Sequence, residues 1–245
     1  MMTRSSRIAV VSLLAFQLSA LHSLEAQTLN FSGYTWTVKS GDGLGPGPNN
    51  WSAANAWVDT SGYLHLRLNQ VGGKWYAASV EMAQSLGFGT YQFWVVGAID
   101  TLDKNVVLGL FNYTTPDVGP DGTNEIDIEF ARWGESSNPN LSYAVWPAVE
   151  GIPHTSKKQP FSLSGSFTTH RFRWESTGVL FQSLHGHRDD NVNQFANWCY
   201  YPLDHTSRIP QEPLVVHLNL WLFQGKPPSN GQEVNVVIRK FTYTP

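Results

Sequence analysis

The stretch NEIDIEFARWG, residues 124–134, decides how this chain is read. Glu125, Asp127 and Glu129 alternate with Ile126, Ile128 and Phe130. Successive side chains of a β-strand point to opposite faces. The run therefore predicts a strand with three carboxylates on one face and three large apolar groups on the other. Like charges at this spacing repel, and acidic residues are poor strand formers. Only 14% of the chain is charged, so the row stands out against its surroundings. A fold gains little from such a row, whereas a reaction can use it.

Outward from this strand, the chain consists of short runs separated by turn residues. NVVLGLFNY (105–113) precedes it and ends in the breaker-rich loop TTPDVGPDG (114–122). LSYAVWPA, HRFRWES and VLFQSLHGH follow it. Nearer the N-terminus, GYLHLRLNQ alternates Leu64, Leu66 and Leu68 with polar residues before a turn at Gly72-Gly73. YAASVEMAQ and GTYQFWVVGAI bracket a turn at SLGFG (85–89). Late in the chain come PLVVHLNLWLF, the loop QGKPPSNG and EVNVVIRKFTY. There is no long helical period, no internal repeat and no composition shift marking a domain boundary. The pattern predicts an all-β fold, a sandwich of two antiparallel sheets. Residues 191–208 follow neither period and are expected to form a long loop with a short helical turn.

Composition narrows the function. The formal net charge is −3 and no basic patch stands out, which argues against nucleic acid as a partner. Ten Trp, nine Tyr and thirteen Phe suit a strand-rich core, and also a cleft whose flat rings pack against sugar faces. Arg4 and Arg7 precede a mostly apolar run from Ile8 to Leu21. That run is too short for a typical membrane span and reads as a secretory signal, with a retained anchor as the competing reading. Residues 1–26 are thus expected to be a signal peptide and 27–245 a single domain, secreted or periplasmic, with no membrane association once the signal is removed. The one cysteine, Cys199, has no partner for a disulfide within the chain. A domain of this size can rely on its core instead, and a monomer is expected.

The carboxylate row has chemical consequences. The alpha carbons of Glu125 and Glu129 lie roughly 13 Å apart along an extended strand. Retaining glycosidases need two carboxyl groups about 5 to 5.5 Å apart, and inverting ones roughly 6.5 to 9.5 Å. Side chains leaning together over Asp127 reach either value, so spacing alone does not choose between them. Crowded carboxylates cannot all ionise easily. One stays protonated and can act as a general acid, while another remains an anion able to act as a nucleophile. Binding of Ca²⁺ or Mg²⁺ and a solvated strand face are the other readings of the same three acids.

EIDIEF resembles the active-site motif of glycoside hydrolase family 16, the group of lichenases, laminarinases and xyloglucan-modifying enzymes. The resemblance runs weakly and in order from about Trp57 to Tyr243. YAASVEMAQSLGFGTYQFWV is similar to that family's strand pair ahead of the catalytic strand, FTTHRFRW (167–174) to its strand after the substrate loop, and LNLW (218–221) to its cleft floor. The resemblance implies a jelly-roll sandwich with an open substrate cleft on its concave face. It implies retaining hydrolysis of a β-glucan-type polysaccharide, with Glu125 as nucleophile, Asp127 as assisting acid and Glu129 as general acid/base. It also implies sugar contacts at Glu81, Phe111, Tyr113, Trp146 and Trp221. Three departures accompany it. Thr123 and Asn124 stand where lichenases usually carry an aromatic residue and Asp. The loop GKPPSNG replaces one with a further cleft Trp. Arg239 stands where some members place an acid for a structural calcium ion, which argues against that ion; no cofactor is expected.

His185 and His187 alternate near Asp189 and Asp190, and read as a polar turn around Gly186 in preference to a metal site. Trp198, Tyr200 and Tyr201 read either as local packing or as a sugar platform at a cleft end, and Trp174 as core. A non-catalytic lectin of the same fold and a transglycosylase using the same carboxylates are the alternatives to a hydrolase.

Overall fold

Two antiparallel sheets stack face to face in the computed structural model, which describes residues 27–245. The signal read at 1–26 lies outside the described residues. The chain opens with the hairpin β1 (Thr28–Phe31) and β2 (Tyr34–Val38). A small hairpin follows, β3 (Gly41–Leu44) and β4 (Asn49–Trp51). Next come β5 (Ala56–Val58), β6 (Leu64–Val71) and β7 (Lys74–Tyr76). The middle of the chain supplies β8 (Ala78–Leu86), β9 (Gly89–Val96), β10 (Val106–Tyr113), β11 (Glu125–Phe130), β12 (Leu141–Trp146) and β13 (Thr155–Gln159). It continues through β14 (Phe167–Glu175), β15 (Gly178–His185) and β16 (Gln194–Tyr200). After one helical turn, α1 (His205–Arg208), the last strands are β17 (Leu214–Leu222) and β18 (Val234–Thr244). One sheet has the order β1-β2-β8-β17-β10-β11-β12-β13, and the other β16-β15-β14-β9-β18-β6-β5 with β7 beside β6. This is the two-sheet antiparallel sandwich that the alternating runs predict, with the jelly-roll form that the family resemblance implies. Among the described residues no helix is long and apolar enough to cross a membrane.

The core lies between the sheets and is set by the period-two pattern. Ile126, Ile128 and Phe130 of β11 are fully buried, as are Leu64, Leu66 and Leu68 of β6. Each large apolar side chain buried in this way contributes about 1.5–3 kcal/mol. Rings stack across strands, Tyr91 on Phe172 at 4.8 Å and Tyr143 on Phe181 at 4.9 Å. Trp174 is core, as expected. One polar chain crosses this interior: Tyr143 donates to Ser183 Oγ at 2.7 Å, and His170 is hydrogen-bonded to both Ser183 and Thr168. Burial pushes the His170 imidazole down to about 3, so it stays neutral.

Two expectations are corrected. The runs bracketing SLGFG are not a pair: β8 belongs to the first sheet and β9 to the second. The chain changes sheet at Gly87-Phe88, where Tyr91 donates to the Gly87 carbonyl. Gly89 has φ +152, and a Cβ there would lie 2.5 Å from the Thr244 carbonyl oxygen, so only glycine fits the crossing. Residues 191–208 do contain a helical turn, but Gln194–Tyr200 forms an edge strand beside β15.

Candidate active site

Strand register assembles the site on the outer face of the first sheet. β11 lies between β10 and β12, with Glu129 opposite Gly109 on one side and Ser142 on the other. Because Ile126, Ile128 and Phe130 face the core, Glu125, Asp127 and Glu129 face away from it. Glu125 and Glu129 line a cleft of about 990 Å³. Asp127 is buried beneath them, 3% exposed. The cleft is also lined by Glu81, Phe111, Tyr113, Trp146 and Trp221. All eight residues named from the sequence therefore meet at one site.

Two local features fix how Glu125 enters it. Asn124 adopts a left-handed backbone, φ +52, a conformation that Asn tolerates better than most residues. Its N–H donates to the Pro147 carbonyl at 2.8 Å and its side chain to the Ala148 carbonyl at 3.3 Å. Asn124 thus ties the loop before β11 to the turn after β12. Trp146, opposite Glu125 in register, donates from Nε1 to Asp127 Oδ2 at 2.8 Å.

The three acids do not ionise alike. Burial pushes Glu125 up to about 8; a hydrogen bond from Asp127 lowers it, while the charges of Glu129 and Asp121 raise it. Asp127 is held well above the usual carboxylate range by burial, then by the Glu125 charge and by donating its proton to Glu125. Burial and then Asp127 raise Glu129 well above its ordinary value, with Lys158 opposing. The arrangement is a coupled set in which Asp127 keeps its proton and donates it to Glu125, Glu129 keeps its own, and the Glu125 anion forms as the pH approaches about 8.

Several lining residues were absent from the sequence reading. Lys39, Asp121, His217 and Asn219 all face the cleft. Tyr113 Oη donates to Asp121. Asn219 is 3% exposed and its Oδ1 has no partner within the protein. It packs over Gly109, where a Cβ would lie 2.5 Å from that oxygen. His217, Asn219 and Trp221 alternate along β17, so once the resemblance puts Trp221 in the cleft the strand period marks the other two. Lys39 and Asp121 carry no such signal.

Other candidates lie elsewhere. Gly186 makes the turn beside His185, with φ +79. His187 donates from Nε2 to the Val95 carbonyl at 3.0 Å and accepts from Arg239 at Nδ1. Asp190 pairs with Arg188. Among the described residues no group of three or more His, Cys, Asp or Glu is placed to hold a metal ion. Trp198 stacks on Phe181 and Tyr200 in the second sheet, which favours packing over a cleft platform.

No protein-family model matches the chain, and no curated protein matches it. Solved structures do resemble it. A Bacillus licheniformis β-glucanase is 21% identical with a TM-score of 0.64, over 88% of this chain and 94% of that one. A prokaryotic β-1,3-1,4-glucanase (lichenase) from a mouse hindgut metagenome is 21% identical with a TM-score of 0.62, over 86% and 92%. A glycoside hydrolase family 16 endo-glucanase from Bacteroides ovatus, in complex with G4G3G-2F-DNP, is 14% identical with a TM-score of 0.62, over 85% and 94%. The chain shares their fold.

Proposed function

We propose that this chain is a secreted, retaining endo-β-glycosidase of the glycoside hydrolase family 16 type, acting on internal linkages of an uncharged β-glucan. The observation that carries this reading is the position of Glu125 and Glu129 in one cleft with Asp127 buried between them. The glucanases that share the fold support the substrate class. Charge supports it too. The carboxyl groups of Glu81, Asp121 and Glu125 line the cleft against one cation, Lys39, so it offers a polyanionic chain little positive charge to bind.

In the first step a Glu125 carboxylate oxygen attacks the anomeric carbon. The bond to the leaving oxygen breaks, and Glu129 gives that oxygen its proton. Glu125 becomes an uncharged ester and Glu129 an anion. Glu129 then takes a proton from water, whose oxygen attacks the same carbon and releases Glu125. Asp127, fixed by the Trp146 N–H, hydrogen-bonds the nucleophile throughout. The apolar rings of Phe111, Tyr113 and Trp221 pack against sugar faces along the cleft. The protein acts as a monomer.

The test is a screen of the purified protein against lichenan, laminarin, xyloglucan, agarose and carrageenan with product analysis, repeated with Glu125→Gln and Glu129→Gln. Cleavage of an uncharged glucan is expected, and each variant should lose most of it while staying folded. Azide added to Glu129→Ala with an activated glycoside should yield a β-glycosyl azide, and added to Glu125→Ala the α-azide. Binding without cleavage by the parent would make the protein a lectin. Near-parental turnover in either Gln variant would remove the assigned roles.

A further inference from the structure

The cleft floor carries an imidazole that the two-step reaction leaves unused. His217 lies opposite Glu81 on one side and Phe111 on the other, and Phe111 lies opposite Asp127. The four residues form one row across the sheet. The His217 ring stacks on Phe111 with centroids 5.1 Å apart and planes 22° apart, and meets Tyr113 nearly edge-on at 5.6 Å. A stacked neighbour and an edge neighbour together fix its plane. Its Nε2 is 4.0 Å from Glu81 Oε2, too far for a direct hydrogen bond. Lys39 closes this end of the cleft, its Nζ donating to the Gly45 carbonyl and lying 4.6 Å over the Trp51 ring.

The charge states follow from this packing. Burial, reinforced by the Lys39 charge, pushes His217 down to about 3. The imidazole is therefore neutral and offers one N–H and one lone pair. Burial raises Glu81, and the Lys39 charge opposes that rise. The cation helps keep Glu81 an acceptor.

We propose that His217 is a specificity-determining residue that, with Glu81 across the 4.0 Å gap, clamps one hydroxyl of a neutral glycan at a sugar remote from the cleaved bond. A hydroxyl oxygen fits between the two groups at about 2.8 Å from each. It accepts from Nε2–H and donates to the carboxylate, using the single proton a hydroxyl has to give. β17 is two strands from β11, about 9.6 Å, which places that hydroxyl about two sugar rings from the reacting carbon. The site selects glycans long enough to reach β17 and carrying an equatorial or axial hydroxyl where the gap requires one. This assignment rests on the glycosidase reading.

The experiment compares parent, His217→Ala and His217→Gln on the polysaccharide that the parent cleaves best, and on a short activated glycoside that spans only the reacting sugar. For His217→Ala, KM on the polymer should rise about tenfold, the loss of one buried hydrogen bond, with kcat within about twofold. The short glycoside should show no matching rise in KM. His217→Gln, which keeps an N–H at similar reach, should recover most of the polymer KM. Thermal melting confirms that the variants fold. An unchanged polymer KM, or equal losses on polymer and glycoside, would overturn the assignment while leaving the glycosidase reading intact. A parent that cleaves no glycan would instead remove the functional reading on which the assignment rests.

Discussion

Replacing Glu125 by Gln should stabilise the protein at neutral pH, and the gain should vanish in acid. In the unfolded chain this carboxyl titrates near its ordinary 4.5, whereas burial in the folded cleft pushes it up to about 8. A group whose folded pKa is raised contributes its full stability below the unfolded value and loses it as pH rises through the folded one. The window therefore runs from about 4.5 to about 8. At pH 7 the difference corresponds to about 3 kcal/mol. Water in the open cleft screens part of this, and about 2 kcal/mol is a reasonable expectation. Gln carries no titrating group and should escape the penalty. For a domain of this size the melting temperature at pH 7 should rise by about 5 °C. Calorimetric scans of parent and variant from pH 4 to pH 9 test this. The two curves should converge near pH 4 and separate steadily above pH 5. A Gln variant that melts at or below the parent at pH 7, with parallel pH profiles, would refute the reasoning.

Three further outcomes follow. Trp146→Phe keeps a ring stacked on His154, now 4.2 Å away, but removes the N–H that holds Asp127 Oδ2; kcat should fall about tenfold with little change in KM, and an unchanged kcat would mean that Asp127 needs no such support. Asp121→Asn removes one of the charges that raise Glu125, so the acid limb of the kcat/KM profile, which on the proposed mechanism reports ionisation of Glu125, should move to lower pH; a limb that stays in place or moves upward would contradict the assignment. A chelator should leave the melting temperature unchanged, because Arg239, which the family resemblance aligns with a calcium-binding acid, is instead hydrogen-bonded to His187; a drop above about 5 °C, on the order of 1–2 kcal/mol, would show that an ion is bound.

The fold was legible wherever one strand carried its own alternation. Leu64, Leu66 and Leu68 announce which face of β6 is buried, and Ile126, Ile128 and Phe130 do the same for β11. The pattern does not say which sheet a strand joins. SLGFG has the residues of a tight hairpin, yet contacts distant in sequence, such as the close approach of Gly89 to Thr244, send its two flanking strands to opposite sheets. β16 escaped for a different reason. It is an edge strand that pairs only with β15, and its inward set, Ala196, Trp198 and Tyr200, mixes one small residue with two half-buried rings, so the alternation is weak.

The same division governs the site. Glu125, Asp127 and Glu129 could be read because a single six-residue strand holds all three. Lys39, Asp121 and His217 could not be read as a group, since a loop end, a breaker-rich loop and a late strand come together only through β8, β17 and β10 lying side by side. That dependence also explains how the fold tolerates its acids. Three carboxylates on one strand face oppose folding by a few kcal/mol, as the raised value of Glu125 indicates. On the other face of the same strand Ile126, Ile128 and Phe130 are wholly buried, each contributing about 1.5–3 kcal/mol, enough together to exceed that strain. The alternation that places the acids toward the cleft is therefore the same alternation that anchors them. A strand with the acids but without its apolar face would leave the cleft, and a strand with the apolar face but without the acids would fold more stably and lack the carboxyls that the proposed reaction uses.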